Sequence, residues 1–412
     1  MRSARSPLSV GLHIASCLLV VCLVAAGSTA RAADDAPQSP LAGWQSGVTV
    51  SPVLGRVAAH SMHSYFNTSP ESPDGKWVLL YRSTAADGHR GEVCLVERAT
   101  GNVRVLAEGI ETEDAHRVAC QQWSCGGREV VFHDLREGRW TIVAVNVETG
   151  ESRELAKDRQ LCWGQAAGEV VPLYGPHWAP GEHRDLELLN VRTGDITTAL
   201  TWQRVKSALA DSAPAEFFGR EFGEHPISVF FPILSPDGNR VLFKIATPAS
   251  GVFRSKGASN RHGIVCYDLK SNEFGYIDRR WGHPAWHPNS RQLINMAGTG
   301  VVIIDSVTGK THHHKDLPKY PGSHPSLSPD GKLFVTDTRI PDLDRDRQQT
   351  WGVSVGDYAG GESVMLHRLD NARGARSWRV SHPHPVFSPD GRRIYFNVSA
   401  DQWTRLYVAE AQ

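Results

Sequence analysis

One tetrapeptide constrains this chain more than any other feature. Ser-Pro-Asp-Gly occurs at Ser72–Gly75, Ser235–Gly238, Ser328–Gly331 and Ser388–Gly391, and weaker copies stand at Ser124-Cys-Gly-Gly127 and Pro288-Asn-Ser-Arg291. Pro presets one turn dihedral, Asp bonds its own backbone and Gly supplies a positive φ, so each copy is a tight turn. Each leads into an apolar run, among them Trp77–Tyr81, Val241–Phe243, Leu333–Val335 and Ile394–Phe396. A second signal follows at the hairpin tips Ala99-Thr-Gly101, Glu148-Thr-Gly150, Arg192-Thr-Gly194, Lys270-Ser-Asn272, Val307-Thr-Gly309 and Ala359-Gly-Gly361. Short strands at even spacing with one turn signature per unit predict an all-β propeller.

Counting the first turns, with a degenerate one near 164–168, predicts seven blades over residues 46–412. The last unit lacks a Thr-Gly hairpin, so a strand within about 46–58 is expected to complete it and close the ring, which removes open sheet edges. The segment 203–218 has room for a short helix on a connection.

The start of the chain reads as an export signal. Arg2 and Arg5 precede an apolar run from Ile14 to Ala26, and Ala30-Arg-Ala32 is a small-x-small cleavage site. Residues 1–32 are thus expected to be removed, residues 33–45 to form a loose lead-in, and the protein to be periplasmic or secreted. No later stretch is long and apolar enough to span a membrane. Lys+Arg and Asp+Glu balance at 44 each, which lends no support to a nucleic-acid or anionic-membrane partner. Cys120 and Cys125 are either a disulfide or buried small hydrophobes.

Aligning the units on their turns exposes a histidine register. Four residues before the turn stand His283 in unit five, His324 in unit six and His384 in unit seven, each followed by Pro; His382 lies two residues before His384. Residues i and i+2 of a strand share a face, and the first strand of each blade lines the channel, so these imidazoles converge. Such a set suits a divalent metal or acid–base chemistry. Units one, two and four carry Thr68, Cys120 and Phe231 at that position. His312-His-His314 reads as a solvated loop; His225 has a place at the rim and His60, His63 and His116 are within reach of it, though each reads first as structural or exposed.

The motif His382-Pro-His-Pro-Val-Phe-Ser-Pro-Asp-Gly391 resembles the last blade of the oligogalacturonate lyases, a family of seven-bladed propellers. Gly282-His-Pro-Ala-Trp-His-Pro288 and Asn67–Gly75 are similar to that family's fifth and first blades. The resemblance implies cleavage of oligogalacturonides by β-elimination, assisted by Mn²⁺ or another divalent metal. It implies His324, His382 and His384 as metal ligands and His283 as the base. It further implies an Arg on the sugar carboxylate, Arg261 or its rival Arg254. The sequence departs from the family at Arg379, where a Gln ligand is expected, and at Met296–Gly300. A guanidinium has no lone pair to offer a cation. The expected partner is an acidic oligosaccharide, bound by a monomer or weak oligomer. The rival readings are a non-catalytic TolB-like propeller that binds protein or glycan, and a lyase for another acidic polysaccharide.

Overall fold

The computed structural model describes residues 39–113, 116–212, 220, 222–255, 257–280, 282–340, 350–370, 382–399 and 401–411. The signal sequence expected at residues 1–32, and Arg379, lie outside them.

Why Ser, Asp and Gly recur is visible in the turns. In each full copy the Ser hydroxyl donates to the Asp carboxylate two residues on, at 2.5 Å for Ser72, 2.6 Å for Ser235, 2.7 Å for Ser328 and 2.6 Å for Ser388. The same hydroxyl oxygen accepts the amide five residues on, at 2.9–3.0 Å. The glycines sit at φ between 69° and 74°, which a β-carbon disfavours.

These turns join the first two strands of antiparallel four-stranded sheets. The innermost strands are His60–Met62, Gln122–Ser124, Gln160–Leu161, Ser228–Leu234, Ala285–Trp286, Ser326–Leu327 and Val386–Phe387. They head seven sheets, blades 1 to 7 in chain order. Five are separate; blades 7 and 1 are joined by a parallel bridge, Ser61 to Arg405. The fold is the all-β propeller expected. The second and third strands are buried along most of their length, and apolar clusters fill the seams between neighbouring blades. Leu79, Val93, Val130 and Phe132 form one such cluster.

Blade 7 is completed from the other end of the chain. Val48–Pro52 pairs antiparallel with Arg405–Ala411, Val48 opposite Ala411. Ahead of it, the described part of the expected lead-in is packed rather than loose: Ala42–Gln45 is one helical turn, with Leu41 and Trp44 buried. The Trp44 and Phe387 rings lie 6.1 Å apart, edge to face. A second closure is polar. Glu71, buried at the end of blade 1's inner segment, accepts two bonds of 2.8 Å from Arg393 and one of 2.5 Å from the Tyr395 hydroxyl, both in blade 7.

The helix Trp202–Ser212 on the connection between blades 3 and 4 buries Val205 and Leu209, one turn apart, against Leu186, Leu200 and Val229. The triplet expected as a loop is instead the outer strand of blade 5, Thr311–His314, with His312 and His313 exposed. Its hydrogen bonds go to Val301–Ile304. No disulfide joins the cysteines of the described residues, all of which are buried.

Candidate metal centre

The residues just before the inner strands carry the histidines. His283, His324 and His384 each stand two residues ahead of an inner strand. At this register the backbone is bent in three blades: Cys120, Phe231 and His384 have φ of 50°, 60° and 47°. Left-handed φ at non-glycine residues costs energy and swings the side chain out of the pleat. In blade 4 the pairing also slips between Phe230 and Ile233, as a bulge does.

Four imidazoles meet there. Ligand atoms of His116, His324, His382 and His384 all lie within 4.8 Å of one another. The His384 ring is 4.3 Å from that of His116 and 4.4 Å from that of His324. His116, read first as structural or exposed, is not exposed and joins this group. It comes from the connection between blades 1 and 2 and is buried. The histidines at the channel are closely packed. His324 and His384 are 1 % and 0 % exposed and rest on Tyr65 and Phe66, which blade 1 inserts into the channel. Tyr65 in turn stacks on Trp163 at 4.8 Å.

A carboxylate stands behind the cluster. Asp337, fully buried on blade 6's second strand, bonds His324 Nδ1 at 2.7 Å and accepts the backbone amides of His324 and His384 at 3.0 and 3.4 Å. Burial pushes the Asp337 carboxyl up, but the neighbouring His324, then His382, outweigh it and hold it below the usual range. This arrangement fixes the His324 tautomer so that Nε2 faces the cluster. Replacing Asp337 by Asn is expected to weaken metal binding by about 10–100-fold. Titration of metal into apo-protein checks this, and an unchanged affinity contradicts it.

The residues present fit a divalent cation. His324 Nε2 and both His384 nitrogens are buried without a hydrogen-bond partner. Leaving such an atom unsatisfied costs about 1–3 kcal/mol, which a coordinated ion would offset. Burial first, then the neighbouring His324, His382, His63 and His283, keep the His384 pKa well below its ordinary value, so its lone pair is free at neutral pH.

His283 lies beside this set, its ring 4.5 Å from that of His324. Its backbone is held by the Asn295 side chain, and a β-carbon on the preceding Gly282 would stand 2.7 Å from that amide. Arg261 lines one small pocket with His283, His116, Arg117 and Tyr65. Arg254, the rival, is bound to Glu111 at 2.7 Å and to the Thr112 carbonyl. Arg117 bonds the buried Glu113 at 2.6 Å and the Tyr174 hydroxyl at 2.5 Å. His60 ties blade 1 to blade 7 through the Thr404 amide, and His225 is exposed. At the turn end, a pocket of about 290 Å³ lined by Phe66, Trp286, Leu327 and Phe387 has no charged or histidine side chain in its wall, which leaves the titratable chemistry to the histidine end.

Two further buried histidines make stability pH-dependent. Burial lowers the pKa of His63 from 6.5 to about 4 and that of His133 from 6.5 to about 3. The unfolded chain protonates both near pH 6.5, so below that value it binds more protons than the folded one. Stability is therefore complete above about pH 6.5 and falls as the pH drops towards 4, by at most about 1.4 kcal/mol per unit for each group. Melting temperatures across that window check this; a flat profile contradicts it.

No protein-family profile matches the sequence, and no curated protein matches it. Solved structures do. Oligogalacturonate lyase from Vibrio parahaemolyticus superposes with a TM-score of 0.59 at 17% identity, covering 89% of this chain and 94% of that one. An oligogalacturonate lyase in complex with manganese gives 0.61 at 18%, covering 88% and 93%. The β-propeller domain of Swd1 from Myceliophteria thermophila gives 0.52 at 11%, covering 86% and 98%. At these identities the likeness is one of fold. The chain is a divergent sequence on a propeller that resembles that of the oligogalacturonate lyases.

Proposed function

We propose that this protein is a metal-assisted lyase that cleaves acidic oligosaccharides, oligogalacturonides first among them, by β-elimination. The observation that carries the reading is the meeting of His283 and Arg261 in one pocket beside the four-histidine cluster. A base, a carboxylate binder and a candidate cation centre are what proton abstraction next to a uronate carboxylate requires.

The C5 proton of a uronate is weakly acidic because its removal leaves charge that only the neighbouring carboxylate can delocalise. Arg261 meets that carboxylate with a planar pair of donors suited to it. His116, His324, His382 and His384 would hold the divalent ion, which when bound supplies Lewis-acid stabilisation of the charge on the carboxylate. His283 takes the C5 proton, a role for which imidazole is suited near pH 7. The C4–O bond then breaks, a C4–C5 double bond forms, and the departing oxygen takes a proton from water. Tyr65, Phe66 and Phe231 give the site an apolar floor, which strengthens each of these charge interactions. By this reading the enzyme acts on its substrate outside the cytoplasm.

An ultraviolet assay for the conjugated unsaturated uronate tests the proposal, using digalacturonate and trigalacturonate with added divalent metal and with chelator. Product that needs metal is expected. Absence of product on oligogalacturonides and on a panel of other uronates overturns it.

A further inference from the structure

The donor set of the centre is its distinctive property. The clustered ligand atoms come from four imidazoles. Among the described residues, the nearby carboxylates are occupied elsewhere. Asp337 takes up His324 Nδ1 and two backbone amides. Glu113 takes up Arg117 and the Gln160 amide, at 2.6 and 2.8 Å. Oxygen ligands suit Mg²⁺, Ca²⁺ and Mn²⁺, whereas imidazole suits Fe, Ni, Cu and Zn.

We propose that this centre selects a nitrogen-preferring first-row ion, of the Fe²⁺, Co²⁺, Ni²⁺ or Zn²⁺ type, over Mn²⁺, and that His116 sets the choice. The inference rests on the metal-centre half of the function proposed above and not on its lyase half. His324, His382 and His384 come from blades 6 and 7, where the repeat register puts them. His116 comes instead from the connection between blades 1 and 2, and its ring lies 4.3 Å from His384 and 5.1 Å from His382. It turns a three-nitrogen set into a four-nitrogen one. Four neutral ligands also leave the ion its full double charge, with the Asp337 carboxylate behind His324. A site of that kind draws an anionic group to the remaining positions.

The test is metal selection. Chelator-stripped protein is dialysed anaerobically against equal concentrations of Mn²⁺, Fe²⁺, Co²⁺, Ni²⁺ and Zn²⁺, and the bound metal is measured by mass spectrometry. Late ions bind more tightly at almost any site, so the decisive quantity is the Zn²⁺-to-Mn²⁺ affinity ratio of the wild type against His116→Asp. Both are made in a His312→Gln/His314→Gln background, because the His312 and His314 rings lie 4.6 Å apart on an outer strand, a spacing that would suit adventitious chelation of late ions. The wild type is expected to hold one late ion per chain. His116→Asp, which trades nitrogen for oxygen, is expected to shift the ratio towards Mn²⁺ by about tenfold or more. A ratio that does not move overturns the role of His116, and Mn²⁺ retained in preference by the wild type overturns the selectivity. Should the Asp variant not fold, His116→Asn gives the same comparison. No bound metal at all overturns the centre, whereas metal as expected with no uronate product overturns only the lyase reading.

Discussion

A His283→Ala variant is expected to lose uronate cleavage by about 10²–10⁴-fold, the usual contribution of a positioned general base, while keeping its metal. The two outcomes separate because His283 is beside the clustered set and not within it. Its ring is half-buried, and its backbone is fixed through Asn295 independently of the side chain, so truncation leaves the inner strand in place. Initial rates together with metal content check this. Activity that survives within a few-fold removes His283 from the chemistry. Activity lost together with the metal makes it a ligand instead.

Replacing Glu71 by Ala is expected to destabilise the fold by about 3–5 kcal/mol, the cost of stranding a buried partner of an ion pair. Glu71 is 1 % exposed, and its two oxygens receive the Arg393 guanidinium and the Tyr395 hydroxyl. The variant would leave the Tyr395 hydroxyl unanswered and the guanidinium with Asp390 as its remaining carboxylate partner, at the seam between the first and last blades. The Gln variant, which keeps an acceptor but not the charge, should fall between. Denaturant midpoints measure both, and an Ala variant as stable as the wild type rules out the seam as a point of weakness.

Blade architecture was legible because it is written locally. Each Ser-Pro-Asp-Gly copy contains its own hydrogen-bond donor, acceptor and glycine within a few residues, so the pattern survives without reference to the rest of the chain. The register of His283, His324 and His384 follows from that ruler. His116 escaped it because it belongs to a connection, where spacing carries no period. Asp337 escaped it for another reason: it meets His324 across a strand pair, thirteen positions away in sequence, and nothing in its own stretch distinguishes it from a surface carboxylate. Residues 312–314 were misread because three polar side chains in a row give no alternation, although an outer blade strand facing solvent needs none.

The strand Val48–Pro52 has a consequence in time as well as space. It finds its partner only in Arg405–Ala411, at the other end of the described chain. During synthesis from the N-terminus, that strand must wait as an unmatched edge while the blades between are made and packed. Ring closure is then the final folding event. It spans nearly the longest sequence separation among the described residues, and such contacts form slowly and leave edges open to other chains meanwhile. Until Arg405–Ala411 is made, the waiting edge of Val48–Pro52 is an aggregation hazard for the growing chain.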